Sequence, residues 1–167
     1  ARFFRIDLDQ DGKLNELEWK RHADVFDRAQ NAAIAIRPGG SGDVTRTHVK
    51  WTYREGLPVV PSPVVYRGQL YMVKNSGILT SLDARSGEYQ KRGRIPGRGN
   101  YYASLVAGDG KVYAVSESGM VSVIRAGRNW EVIGSHDLGE RVLATPVIAD
   151  GRLYIRTDNA LYCFGKR

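Results

Sequence analysis

The stretch PVVYRGQLYMVKNSG at Pro63–Gly77 is written again as LVAGDGKVYAVSESG at Leu105–Gly119 and as PVIADGRLYIRTDNA at Pro146–Ala160. The copies place a glycine at Gly68, Gly110 and Gly151, and a tyrosine follows three positions later each time, at Tyr71, Tyr113 and Tyr154. Ser62, Ser104 and Thr145 keep the same register upstream. A period of roughly forty residues, filled with short β-branched and aromatic runs, marks propeller blades, because one such sheet cannot bury both of its faces alone. The fold class that follows is mainly β: part of a β-propeller with about three four-stranded blades, preceded by a small helical segment.

Each period divides into strands. The first copy predicts them at Pro61–Tyr66, Gln69–Lys74, Ile78–Leu82 and Tyr89–Ile95. The second predicts them at Tyr102–Ala107, Lys111–Ser116, Met120–Ile124 and Glu131–Ser135. The third ends at Leu161–Phe164, short of a fourth strand. The first two strands of each copy are nearly continuous apolar runs, as expected where sheets stack and cover both faces. Val49–Tyr53 reads as one more strand, placed as an outer strand before the first copy.

One motif escapes the period. Residues Asp7–Glu18 read DLDQDGKLNELE and resemble an EF-hand calcium loop at every ligand position. Asp7, Asp9 and Asp11 take positions 1, 3 and 5, Gly12 the sharp turn, Lys13 the backbone carbonyl at 7, Asn15 position 9 and Glu18 position 12, where a carboxylate binds through both oxygens. Calcium is a hard cation that takes 6–8 oxygens at about 2.3–2.6 Å, and this order of residues supplies them from one turn of chain. Leu14 stands where the loop would enter a short strand. Phe3, Phe4 and Ile6 read as the apolar face of an entering helix, and Glu18–Gln30, free of Pro and Gly, as the exiting helix with Trp19, Ala23 and Phe26 on one side. A second loop of this pattern is not in the sequence, so a lone hand of the weak, structural kind is expected, or one whose partner lies upstream of Ala1.

The segments are therefore 1–36, an EF-hand-like helix-loop-helix; 37–48, a Gly-rich linker around Arg37-Pro38-Gly39-Gly40-Ser41-Gly42; and 49–167, the C-terminal part of a propeller. The linker lacks the Gly-Lys-Ser/Thr ending of a phosphate-binding loop. No apolar run approaches the roughly 20 residues of a membrane-spanning helix. The chain opens on ARFF, inside an element and without a signal peptide, which reads as a C-terminal piece of a longer protein. Cys163 is the single cysteine, which rules out a disulfide or a cysteine zinc site built within the chain.

The net charge of +7 raises the question of a polyanion partner. The one dense run, Lys91, Arg92, Arg94 and Arg98, lies among Gly93, Pro96, Gly97 and Gly99 and reads as a solvated loop between blades, with a polyanion contact as the sharper alternative. His22, His48 and His136 have no metal-ligand spacing. Ser135-His136-Asp137 cannot form a catalytic triad, since consecutive residues cannot approach one another from three directions, and it reads as a turn ending the second blade. The repeated tyrosines read as packing positions rather than a stacking platform.

The run Ser81–Glu88, SLDARSGE, together with the Pro-Val and Gly-x-Leu-Tyr elements of the copies, resembles the pyrroloquinoline-quinone-type β-propeller repeat over roughly Val49–Phe164. That family includes quinoprotein dehydrogenases and a non-enzymatic scaffold lipoprotein of outer-membrane protein assembly. Its blade-docking motif runs Ala-x-Asp-x-x-Thr-Gly-x-x-Trp. Here Ser81 stands for the alanine, Ser86 for the threonine and Gln90 for the tryptophan, while the second copy keeps Trp130 but has Arg125-Ala126-Gly127 at the acidic corner. The resemblance implies a periplasmic or extracellular protein. Two functions stay open: a non-catalytic, calcium-binding scaffold with a protein or glycan partner on the propeller face, or a fragment of a quinone-dependent dehydrogenase. The second would need pyrroloquinoline quinone, a calcium beside it and an aspartate base, none of which the residues place.

Overall fold

The computed structural model describes residues 6–28 and 31–165, and the chain divides into two compact units at Ala32/Ala33. In the first unit the acidic loop leads into α1 (Glu16–Arg28). The helix begins two residues before the expected Glu18 because Asn15 caps it. The Glu18 amide donates to Asn15 Oδ1 at 3.0 Å, and Glu18 Oε2 accepts from the Asn15 amide at 3.1 Å. These reciprocal bonds satisfy two groups that the first helical turn leaves open. Leu14 forms no strand, since a strand there needs a second loop to pair with. Phe3 and Phe4 lie outside the described residues, as does the end of the expected helix at residues 29–30.

The second unit holds thirteen strands among the described residues. The strands β3 (Val64–Tyr66), β4 (Gln69–Lys74), β5 (Ile78–Asp83) and β6 (Tyr89–Arg94) form one antiparallel sheet in chain order. A second sheet repeats this with β7 (Val106–Gly108), β8 (Lys111–Val115), β9 (Met120–Arg125) and β10 (Glu131–Asp137). The third has β11 (Val147–Ala149), β12 (Arg152–Arg156) and β13 (Leu161–Phe164). This is a partial β-propeller. Before it, β1 (Ala33–Ile36) pairs with β2 (Val49–Tyr53), so residues 37–48 connect two strands of one sheet.

The repeated glycines are turn residues. Arg67-Gly68, Asp109-Gly110 and Asp150-Gly151 each join the first two strands of a sheet with both central φ angles positive, from 47° to 75°. Two-residue hairpins of this kind match the right-handed twist of the strands, and glycine at the second position carries the left-handed backbone without strain. The first strands are shorter than expected, starting at Val64 and Val106 rather than Pro61 and Tyr102. The residues ahead of them bond between sheets instead. The Ser62 amide donates to Ser104 Oγ at 2.9 Å, and the Ser104 amide to Thr145 Oγ1 at 3.1 Å. The hydroxyls in register along the sequence thus form a ladder that passes from sheet to sheet.

Strand burial follows the stacking. Tyr71, Met72 and Val73 of β4 are buried with no exposed surface, because β1–β2 cover one face and the second sheet the other. Burying a side chain of this size contributes about 1.5–3 kcal/mol. In the third sheet only Ile155 of β12 is buried. The Ser135-His136-Asp137 segment extends β10 rather than turning away, pairing with Ser122, Val121 and Met120 of β9. Lys91, Arg92 and Arg94 likewise lie in β6, not in a solvated loop.

Candidate metal centre and the surfaces between blades

The sequence places three carboxylates in the first unit, and the loop brings them together. One oxygen from each of Asp7, Asp9 and Asp11 lies within 4.8 Å of the others. Oxygens bound to one ion at about 2.4 Å can be no more than about 4.8 Å apart, so the spacing suits a single calcium. Asp7 is 2% exposed; its Oδ2 accepts from the Gly12 amide at 3.0 Å, while its Oδ1 is buried with no hydrogen-bond partner. A positive φ of 81° at Gly12 makes the turn that carries this amide back over Asp7. The Asp11 amide donates to Asp9 and favours its charged form. Desolvation and the negative charges of Asp11, Glu18 and Asp7 outweigh that bond, so the Asp9 carboxyl lies above the usual carboxylate range.

The outer members of the set are held as well. Asn15 Nδ2 reaches Asp9 Oδ2 at 3.4 Å, and the Lys13 amide donates to Asp11 Oδ1 at 2.8 Å. Glu18 is 4% exposed and takes amide hydrogens from Leu8 and Asp9 on Oε1 and from Asn15 on Oε2. The bond from Asn15 is the largest influence on Glu18, and together with those from Leu8 and Asp9 it exceeds desolvation and holds the carboxyl below its usual range. Asp7, Asp9, Asp11, Asn15 and Glu18, with the Lys13 carbonyl, are the groups that could hold a cation.

In the second unit the polar chemistry joins sheets. Trp51 of β2 lies over the β5–β6 turn: its Nε1 donates to the Ala84 carbonyl at 3.2 Å, and a Cβ on Gly87 would meet its ring at 2.5 Å. The sequence reading missed this contact, although the tryptophan and the Ser86-Gly87 pair were both visible. The Asp83 carboxylate holds that turn by accepting from the Ser86 and Arg85 amides and the Ser86 hydroxyl, which keeps its carboxyl below the usual range. One sheet on, Lys91 rather than Gln90 faces the neighbour. A register shift between Ser81 and Leu82 in the β5–β6 pairing turns Lys91 inward, where its Nζ donates to the Trp130 carbonyl at 2.5 Å and lies 4.8 Å from the indole centroid.

The cations of the basic run are largely engaged. Arg92 bonds Tyr53 Oη at 2.7 Å and Glu55 at 3.2 Å, and Arg94 Nη1 donates to the Ser76 carbonyl at 2.8 Å. Tyr71 is a packing residue, as expected, and its hydroxyl accepts from the Gly127 amide at 2.7 Å. Tyr113 is only half-buried and lines a cleft of about 1050 Å³ between the second and third sheets.

The family described as outer membrane protein assembly factor BamB matches the chain over residues 41–166. The chain belongs to that family. Its structure is similar to the crystal structure of BamB from Moraxella catarrhalis, with a TM-score of 0.62 at 18% identity over 81% of this chain and 40% of that one. Weaker likenesses reach quinohemoprotein alcohol dehydrogenases from Pseudomonas putida HK5, with a TM-score of 0.47 and 21% identity, and from Comamonas testosteroni, with 0.46 and 18%. Each of these covers 60% of this chain and 17% of the dehydrogenase. The chain therefore spans well under half the length of these structures, and the likeness to BamB bears on fold. No curated protein sequence matches it. No described helix is long and apolar enough to cross a membrane.

Proposed function

We propose that the chain is a non-catalytic propeller module that binds calcium through Asp7–Glu18 and holds a protein or glycan partner on its propeller face, in the periplasm or outside the cell. The buried, unpartnered Oδ1 of Asp7 carries the calcium reading. A buried polar atom left unsatisfied costs about 1–3 kcal/mol, and more when charged, and a bound cation removes that cost while neutralising the repulsion at Asp9. The raised Asp9 carboxyl supports the same reading. Calcium here would stiffen the small unit rather than take part in chemistry. A protein partner accords with the family, whose description is that of an assembly factor.

Among the described residues the blades gather no group of three His, Cys, Asp or Glu side chains able to hold a metal. The test of the calcium reading is a Ca²⁺ titration followed by tryptophan fluorescence. Trp19 adjoins Glu18 and is 59% exposed, so loop closure is expected to change its emission. The change should vanish in Trp19→Phe and move to higher calcium in Glu18→Gln. A flat titration up to ~10 mM in the unaltered chain would overturn the reading.

A further inference from the structure

The positive charge of the chain belongs to its second unit. Residues 1–32 carry seven acidic and six basic side chains, and residues 33–167 carry eleven and nineteen. An excess of one sign on one unit points to a partner of the other sign. The run Lys91, Arg92, Arg94 and Arg98 does not supply the contact, since three of its four cations are already bonded. Two unpaired arginines stand instead where the two four-stranded sheets meet.

The corner after the third strand differs between these sheets. Asp83 ends β5 and Arg125 holds the same place at the end of β9, because Leu82 opposes Leu70 as Ile124 opposes Val112. The next amides, of Ala84 and Ala126, donate to the Gly68 and Gly110 carbonyls, both at 2.9 Å. In the first corner Asp83 Oδ1 accepts from the Arg85 amide at 2.9 Å, the Ser86 amide at 2.8 Å and the Ser86 hydroxyl at 3.1 Å. The second corner is one residue longer, spanning 126–130 where the first spans 84–87, and has no carboxylate in that place. Arg125 pairs with Glu131, and the Gly127 amide goes to Tyr71. The amides of Arg128 and Asn129 have no acceptor among the described residues.

Cations surround this corner. The Arg67 guanidinium lies 5.5 Å from the Tyr66 ring centroid, with Nη1 3.2 Å from where a Cβ on Gly110 would stand, so it crosses from its own sheet to the next. Arg128 is exposed, and neither arginine has an ion pair among the described residues. A Cβ on Gly127 would meet nothing within 4 Å, so the space beside it is open. Both sheets that form the corner have all four strands.

We propose that this corner takes a carboxylate side chain from an acidic partner protein, in the place that Asp83 fills one sheet earlier. The carboxylate accepts from the Arg128 and Asn129 amides and pairs with the Arg67 and Arg128 guanidiniums. Charge-assisted bonds are the strong ones, and arginine presents them in a fork that matches a carboxylate. This names the chemistry of the protein partner proposed above and rests on that reading; the calcium loop takes no part in it.

The probe is the capped tripeptide acetyl-Gly-Asp-Gly amide, titrated at constant ionic strength into the isotope-labelled full chain and followed by amide chemical shifts. Saturable shifts at Arg128 and Asn129 are expected, with a dissociation constant of roughly 1–50 mM for one anchored charge without the rest of an interface. Arg128→Gln and, separately, Arg67→Gln should weaken binding at least about threefold. Arg125→Asp gives the corner a carboxylate of its own and should abolish binding. Arg98→Asp makes the same charge change at the other end of β9, where Ser118 Oγ bonds the Arg98 carbonyl, and should alter binding by less than about twofold. No saturation up to ~100 mM peptide would overturn the proposal. So would tighter binding of inorganic phosphate at the same amides, since the occupant would then be a free oxyanion. Shifts that ignore Arg125→Asp and Arg128→Gln but follow Arg98→Asp would also overturn it, while leaving the partner reading to stand on another surface.

Discussion

Tyr71 and Tyr113 occupy one repeat position and differ in their surroundings. The Tyr71 hydroxyl accepts from the Gly127 amide and donates to the Gly127 carbonyl at 3.3 Å, whereas Tyr113 has no such partner among the described residues. Tyr71→Phe leaves a donor without its acceptor and should cost about 1–3 kcal/mol, read as a lower urea midpoint at unchanged slope. Tyr113→Phe should stay within about 0.5 kcal/mol. Tyr101 supplies a pH test. Burial is the largest influence on its phenol and pushes it up to about 12. A folded pKa above the unfolded value of about 10 means that the stability this group contributes is complete below about pH 10. It is lost as pH rises from there through about 12. Alkaline unfolding followed by circular dichroism should show this loss, and Tyr101→Phe should flatten it.

At the scale of elements, the contacts that seat one sheet on the next are hydroxyl ladders, turn glycines and a few aromatic rings. Gly87 combines a φ of 75° with the Trp51 ring at 2.5 Å from where a Cβ would stand. Gly87→Ala should therefore destabilise by about 1–3 kcal/mol from backbone strain alone. It should also alter Trp51 emission, while the same change at Gly139, with φ 67° and open space around it, should leave the tryptophans unaffected. The second and third strands of each sheet were legible in the sequence because their apolar runs are bounded by turn residues: β4 and β13 have the expected limits, and β2 does too. The first strands were legible but their starts were not, since the Ser62 and Ser104 amides bond hydroxyls ahead of the neighbouring sheet. β1 was hidden because Ala33–Ile36 is only four residues long and alternates in burial between half-buried and exposed, so it reads as the tail of the helix. His136 was misplaced for a related reason. The polar end of β10 is exposed and gives no apolar signal, although it is paired.

For the whole molecule, the sequence carried the architecture through its period and the candidate metal loop through its spacing. That Tyr113 lines a cleft between the second and third sheets while Tyr71 is buried was not legible, because both tyrosines stand at one repeat position. Lys91 was likewise invisible as a docking residue, because a register shift inside a sheet cannot be counted along the chain. The proposed function assigns calcium to the first unit and the partner to the second, so each can be tested with the other intact. The most direct test of the central claim is calorimetric titration of Ca²⁺ into the full chain and into Asp7→Asn. The account predicts one site per chain, with a dissociation constant no weaker than about 10⁻³ M, and at least a tenfold loss in the variant. Absence of binding heat up to ~10 mM, or an Asp7→Asn isotherm that overlays the original, would contradict it.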